Sequence, residues 1–113
     1  MNKKLKNEAE TKTEIIINYY QSKNYDLAIA NAKKLLKKFP NYTVLYNIIG
    51  LSLQAKKKFD ESISYFNKAL QINPNYFSAL NNIGLSYRLM ENNVDAQIFF
   101  KKAIERNPKF ATA

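Results

Sequence analysis

Acid–base chemistry in this sequence would have to come from nine carboxylates, because its 113 residues include no histidine and no cysteine. That removes the usual nucleophile–base pairs and the imidazole and thiolate metal ligands. Asp26 and the adjacent Asp60 and Glu61 each stand just before an apolar, periodic stretch. A carboxylate there favours the positive end of a helix dipole, and no neighbouring group is placed to tune its pKa for proton transfer. Helix starts, not catalysis, are therefore the reading. Phosphate-cradling loops are excluded as well: Gly50 and Gly84 are the only glycines, too isolated for G-x-x-x-x-G-K-[ST] or G-x-G-x-x-G. No enzymatic activity, no cofactor and no metal site is expected.

Charge is the other chemical resource. Eighteen Lys and Arg against nine Asp and Glu give a net charge of +9, with a pI near 9.7. Such a balance could serve a nucleic-acid backbone or an anionic membrane surface. Its distribution argues otherwise. Lys33-Lys34 with Lys37-Lys38, Lys56-Lys57-Lys58, and Lys101-Lys102 with Arg106 each fall near the end of an expected helix. Cations there complement the helix dipole. A nucleic-acid partner is disfavoured, and a basic array binding RNA or a membrane surface is kept as an alternative. With 46% hydrophobic and 24% charged residues, the chain suits one small folded domain. No apolar run approaches the roughly 20 residues of a membrane helix, and the N-terminus never enters the apolar region of a secretory signal. The lack of cysteine names no compartment, so a cytoplasmic location is the default.

The elements that position these residues repeat. Gly50 and Gly84 are 34 residues apart, and so are the only prolines, Pro40, Pro74 and Pro108. Between prolines the order recurs: an apolar stretch bearing the glycine, a polar break, then a second amphipathic stretch. Leu45, Ile48, Ile49, Ser52 and Leu53 follow i, i+3, i+4 spacing, and Ile63, Phe66, Ala69 and Leu70 define a second face. Proline then ends the stretch. The pattern predicts six helices, over 8–21, 25–38, 42–56, 59–72, 76–90 and 94–106. A glycine inside a helix costs about 1 kcal/mol relative to alanine, so both need a packing reason. Gly50 is expected against Ser62 and Ala69, and Gly84 against Ala96 and Ala103, with Phe66 and Phe100 filling the space one turn along. Tyr19 and Tyr87 belong to the same packing, and Tyr42 and Tyr76 follow prolines at matching turns. None is left as a stacking platform for single strands.

The pattern Tyr46-x2-Ile49-Gly50-x2-Leu53, then Ser62, Phe66, Ala69 and Pro74, resembles the tetratricopeptide repeat. So does Leu80-x2-Ile83-Gly84-x2-Tyr87, then Ala96, Phe100, Ala103 and Pro108. The resemblance implies an all-α, right-handed superhelical array of antiparallel helix hairpins, an α-solenoid. It divides the chain into a tail at 1–8, a degenerate repeat at 9–42, repeats at 43–76 and 77–110, and the start of a truncated fourth repeat or solvating helix at 111–113. In the first repeat Ile16 takes the glycine position and Ala32 the aromatic one, an exchange of bulk between its helices. The third carries Asn93 where Tyr25 and Phe59 stand, so its turn is expected to differ locally. The face of Phe99, Phe100 and Ile104 is expected to lie uncovered, which suggests a homo-oligomer through that end.

The resemblance also implies a function: a non-catalytic protein–protein interaction scaffold that holds a peptide or helical segment in a concave groove. Carried over by position, the groove is Glu10, Thr13, Ile17 and Tyr20, then Val44, Asn47, Leu51 and Gln54, then Ser78, Asn81, Asn82, Leu85 and Arg88. Asn47 and Asn81 share a register position and could both donate to and accept from a peptide backbone. Asn82 stands where arrays linked to glycosyltransferases carry an asparagine ladder, which Ile48 interrupts. Ile17, Leu51 and Leu85 make an apolar row suited to an amphipathic helix, unless packing claims them. The family's clamp for a C-terminal carboxylate is not reproduced, because Thr13, Ile17, Ile48, Ser78 and Asn82 occupy its places. The rival from the enzyme class is that the chain is the N-terminal repeat portion of a larger glycosyl- or sulfotransferase.

Overall fold

Polar breaks and prolines punctuate six helices in the computed structural model, which describes residues 2–107 and Lys109. They are α1 (Lys3–Gln21), α2 (Tyr25–Lys38), α3 (Thr43–Ala55), α4 (Phe59–Ile72), α5 (Phe77–Leu89) and α6 (Asn93–Arg106). Five lie within one residue of the expected bounds. The exception is α1, which begins at Lys3, so residues 3–8 are helix and not tail. Asn2 caps it, its side-chain oxygen accepting from the Leu5 N–H at 2.9 Å. Lys38 of α2 then donates to both Glu8 carboxylate oxygens, at 2.9 and 2.8 Å, holding the first turns against the second helix. The expectations for Pro108 and for residues 111–113 lie outside the described residues.

Each hairpin turns by the same device. Lys23, Lys57 and Glu91 adopt left-handed φ values of 65°, 64° and 65°. The amide of each following residue reaches back to the last turn of the helix: Asn24 to Tyr19 O (2.8 Å), Lys58 to Leu53 O (2.9 Å) and Asn92 to Tyr87 O (2.8 Å). These are Schellman caps, which satisfy carbonyls the helix end leaves open. The third turn therefore does not differ in backbone, contrary to expectation. Its difference is local and polar: Asn92 accepts from the Asp95 amide, a cap that Asn24 and Lys58 do not make. The bonds that define a turn are backbone bonds, so losing the aromatic at Asn93 leaves them intact.

The glycines meet other neighbours than expected. A Cβ on Gly50 would stand 2.4 Å from the Phe66 ring, and one on Gly84 would stand 2.7 Å from the Phe100 ring. The Ala96 carbonyl, 3.1 Å from the second, is an expected neighbour. Each glycine is thus the seat of a phenyl ring, which approaches more closely than any small neighbour. A ring needs the flat gap that only a missing side chain leaves. In the first hairpin Ile16 and Ala32 are both buried in one cluster, so the bulk comes from the other helix.

α1 packs on α2, α3 on α4 and α5 on α6, while α2·α3 and α4·α5 join the hairpins. α1 also touches α3, and α3 touches α5. Among the described residues no such contact links α2 to α4 or α4 to α6. First helices that meet while second helices splay apart bend the stack, with α1, α3 and α5 on its inner side. The lysine groups follow the helix ends only in part. Lys37, Lys38 and Arg106 lie in last turns and Lys56–Lys58 in a turn, but Lys33, Lys34, Lys101 and Lys102 sit within α2 and α6.

Candidate partner-binding site

The inner layer is built by helices whose opposite faces are buried. In α3, Leu45, Ile49 and Leu53 face the core, and in α5 Ala79, Leu80 and Ile83 do so. What remains, at 34-residue intervals, is Ile17, Leu51 and Leu85. All three are half-buried, so each keeps apolar surface while its stem packs. Val44, Ser78, Asn81 and Asn82 are half-buried beside them, and Glu10 and Arg88 are exposed.

Three expected site residues are instead largely consumed by the fold. Thr13 is 6% exposed and its Oγ1 has no hydrogen-bond partner. Asn47 is 8% exposed and accepts from Asn82 Nδ2 at 3.0 Å. The asparagines that meet are therefore Asn47 and Asn82, not the register-equivalent Asn47 and Asn81. This pair bridges α3 to α5. Asn81 makes no side-chain hydrogen bond among the described residues. Gln54 is buried, donating to Asn82 O (3.1 Å) and to Ser86 Oγ (2.8 Å). Thr13, Asn47 and Gln54 are thus less open than Asn81 and Arg88, and Asn47 Oδ1 and Gln54 Nε2 are already bonded within the array.

Tyr20 packs its ring against Tyr25, centroids 5.7 Å apart. Burial first, and then Tyr25, pushes the Tyr20 hydroxyl above its ordinary value. Arg88 lies with its guanidinium 5.7 Å from the Phe100 ring centroid, leaning toward α6. The Tyr46 hydroxyl donates to Pro40 O at 3.0 Å, tying α3 to the turn before it.

A buried hydroxyl chain was missed from the sequence. Ser62 donates its proton to Phe59 O at 2.6 Å, so in the 2.9 Å Ser62–Ser86 contact the Ser86 hydroxyl donates. Ser86 in turn accepts from Gln54. Gln54, Ser86 and Ser62 thus form one satisfied relay joining α3, α5 and α4. Spacings of 32 and 24 residues follow no helical period, so no sequence signal marks it.

Among the described residues no group of three His, Cys, Asp or Glu could hold a metal, and no helix is long and apolar enough to cross a membrane. Some of the lysines are engaged locally. Lys12 and Lys38 pair with Glu8 and Lys56 pairs with Asp26. Lys68 and Lys102 lie 4.5 and 4.7 Å from the Tyr65 and Phe99 ring centroids.

Family models described as tetratricopeptide repeat match residues 41–109 and 15–42. No curated protein sequence matches the chain. Solved structures of MamA do. That of MamA AMB-1 is 30% identical with TM-score 0.80, covering 89% of this chain and 60% of its own. A point mutant of MamA is 30% identical with TM-score 0.77, covering 88% and 73%. The first TPR of Spaghetti (RPAP3), bound to the HSP90 peptide SRMEEVD, is 24% identical with TM-score 0.82 over 88% and 79%, a likeness of fold. The chain spans about three-fifths of the length of the first MamA structures it matches.

Proposed function

Because the chain belongs to the tetratricopeptide repeat family, we propose that it is a non-catalytic interaction module whose inner face binds a peptide or helical segment of a partner protein. The observation that carries this reading is the half-buried row Ile17, Leu51 and Leu85, one residue from each first helix. A row left half-open at three successive registers is an apolar stripe of the kind an amphipathic segment covers. Ser78, Asn81 and Asn82 flank the stripe with hydrogen-bonding groups, and Arg88 adds one charge at its end. Repeats at 9–42, 43–76 and 77–110 supply one rung each. The partner is not a segment read through its terminal carboxylate, since Thr13 and Ile48 are buried where that chemistry needs exposed polar groups.

Selection of peptides from a displayed random library tests the reading. Selected peptides should lose about tenfold in affinity to Leu51→Ser and to Leu85→Ser, since each change strips an apolar contact worth about 1 kcal/mol or more. Asn81→Ala should weaken them further, with helicity held by circular dichroism. Selected peptides that bind all three variants as tightly as the parent would dismiss the inner face as the site.

A further inference from the structure

The shared register of the hairpins exposes a gap at the first of them. Ile49 and Ile83 are 0% exposed, whereas Ile15, 34 residues before Ile49, is 49% exposed. The reason is a missing neighbour. α2 packs on α3 and α4 packs on α5, but among the described residues no helix stands in that place before α1. What remains is a cleft of about 380 Å³ between α1 and α2. Ile15, Ile16 and Leu35 supply its apolar lining, and Lys12, Lys34 and Lys38 its charge. Glu8 is the carboxylate nearest these cations, and the hydrogen bonds from Lys38 and then Lys12 hold it below the usual carboxylate range. One anion is thus shared by two of the lysines, and Lys34 has no ion pair among the described residues.

We propose that this cleft docks an acidic, amphipathic helix of another protein, its apolar stripe over Ile15 and its carboxylates against Lys12, Lys34 and Lys38. Shape and charge each point there. A helix packs on the first helix of each of the other two hairpins, α2 on α3 and α4 on α5, so a helix suits the open Ile15 side of α1. The lysines exceed the local carboxylates, so the helix must be acidic. A second copy of this chain is a poor occupant at a net charge of +9. Only α4 carries more acid than base, Asp60 and Glu61 against Lys68, and it is already packed between α3 and α5.

The probe is a synthetic helix of about five turns with leucines along one stripe and glutamates elsewhere, measured by fluorescence anisotropy against the full chain. Its control carries lysine for every glutamate. The acidic helix should bind and weaken with added salt, and the basic one should not bind. Lys34→Glu should weaken binding about tenfold, as attraction becomes repulsion at a surface pair. Ile15→Asp should do the same through the lost apolar contact, and Leu85→Ser, on the inner face, should change nothing. Equal binding of the two helices, or unchanged binding in both cleft variants, overturns the proposal. So does sedimentation that shows a dimer lost in Ile15→Asp, which would assign the cleft to a second copy. Should Ile15→Asp lose helicity, Lys34→Glu decides alone.

Discussion

Replacing Gly50 with alanine puts two effects of opposite sign in one methyl group. Alanine gains about 1 kcal/mol of helix propensity over glycine in a helix interior. Against this, its Cβ would lie 2.4, 2.6 and 2.8 Å from three atoms of the Phe66 ring, well inside the 3.4–4 Å of ordinary contact. Phe66 is fully buried, so its ring has no solvent side to swing toward. Overpacking of that kind costs about 1–3 kcal/mol, and the upper part of the range applies where the ring is held on all sides. The net expectation is a loss of about 1–2 kcal/mol, or some 5–10 °C in Tm for a chain of this size. Gly84→Ala should cost less. Its clash is with Phe100, which is only half-buried and can tilt outward. Thermal unfolding followed at 222 nm, with Phe66→Ala as the second arm of a double-mutant cycle, separates the terms. Phe66→Ala alone should be costly through its cavity, and Gly50→Ala should become favourable in that background. A raised Tm for Gly50→Ala in the parent chain, or no coupling in the cycle, would refute the seat-and-ring account.

Three further outcomes are expected. Ser86→Ala should cost about 1–2 kcal/mol in urea unfolding, because it leaves the Gln54 amide with only its bond to Asn82 O and removes the proton that Ser62 accepts; an unchanged midpoint would mean the relay is idle. Lys57→Gly should raise the midpoint by about 0.5–1 kcal/mol, since φ = 64° penalises any Cβ and the side chain makes no ion pair among the described residues; a lowered midpoint would count against the turn as drawn. The chain should be more stable near neutral pH than the Glu8→Gln/Asp26→Asn double variant, and that advantage should vanish in acid. Lys38 and Lys12 depress Glu8, and Lys56 and then Lys58 depress Asp26. A depressed carboxylate contributes stability that is present above its unfolded pKa and lost as pH falls through the folded one, here below about pH 4. Urea midpoints that are equal at pH 7, or that differ by the same amount at pH 7 and pH 3, would show that these ion pairs contribute nothing.

The fold was readable because its signal is repeated. Pro40 and Pro74, the two glycines and the apolar spacing each carry the 34-residue period independently, and a helix end needs only local information: a missing N–H at proline, a polar break, a carboxylate in a first turn. The start of α1 escaped because the Asn2 cap is only part of what holds it, and the rest is not local. Glu8 belongs in the helix through Lys38, thirty residues on, and a charged tail looks the same in sequence whether or not a partner lysine meets it. The glycines show the same limit at a finer scale. Their placement announced close packing, but small neighbours and a phenyl ring are equally good reasons for a missing Cβ. Only the approach of Phe66 distinguishes them.

The candidate site was legible in position and not in availability. Tyr20, Gln54 and Arg88 occupy one register, and the resemblance placed all three on the inner face. Their environments diverge because each depends on what the next hairpin brings. Gln54 meets a small hydroxyl at Ser86 and an open carbonyl at Asn82, so its amide is drawn inward and buried. Tyr20 meets Tyr25 and stops half-buried. Arg88 has no further hairpin beside it among the described residues, and it stays exposed with its guanidinium over Phe100. Register assigns a side chain to a face, whereas the neighbouring repeat decides whether that side chain is spent on the array or left for a partner. The same rule governs Ile15 at the other end. It shares a register with Ile49 and Ile83, and it keeps its surface where, among the described residues, no helix stacks upon it.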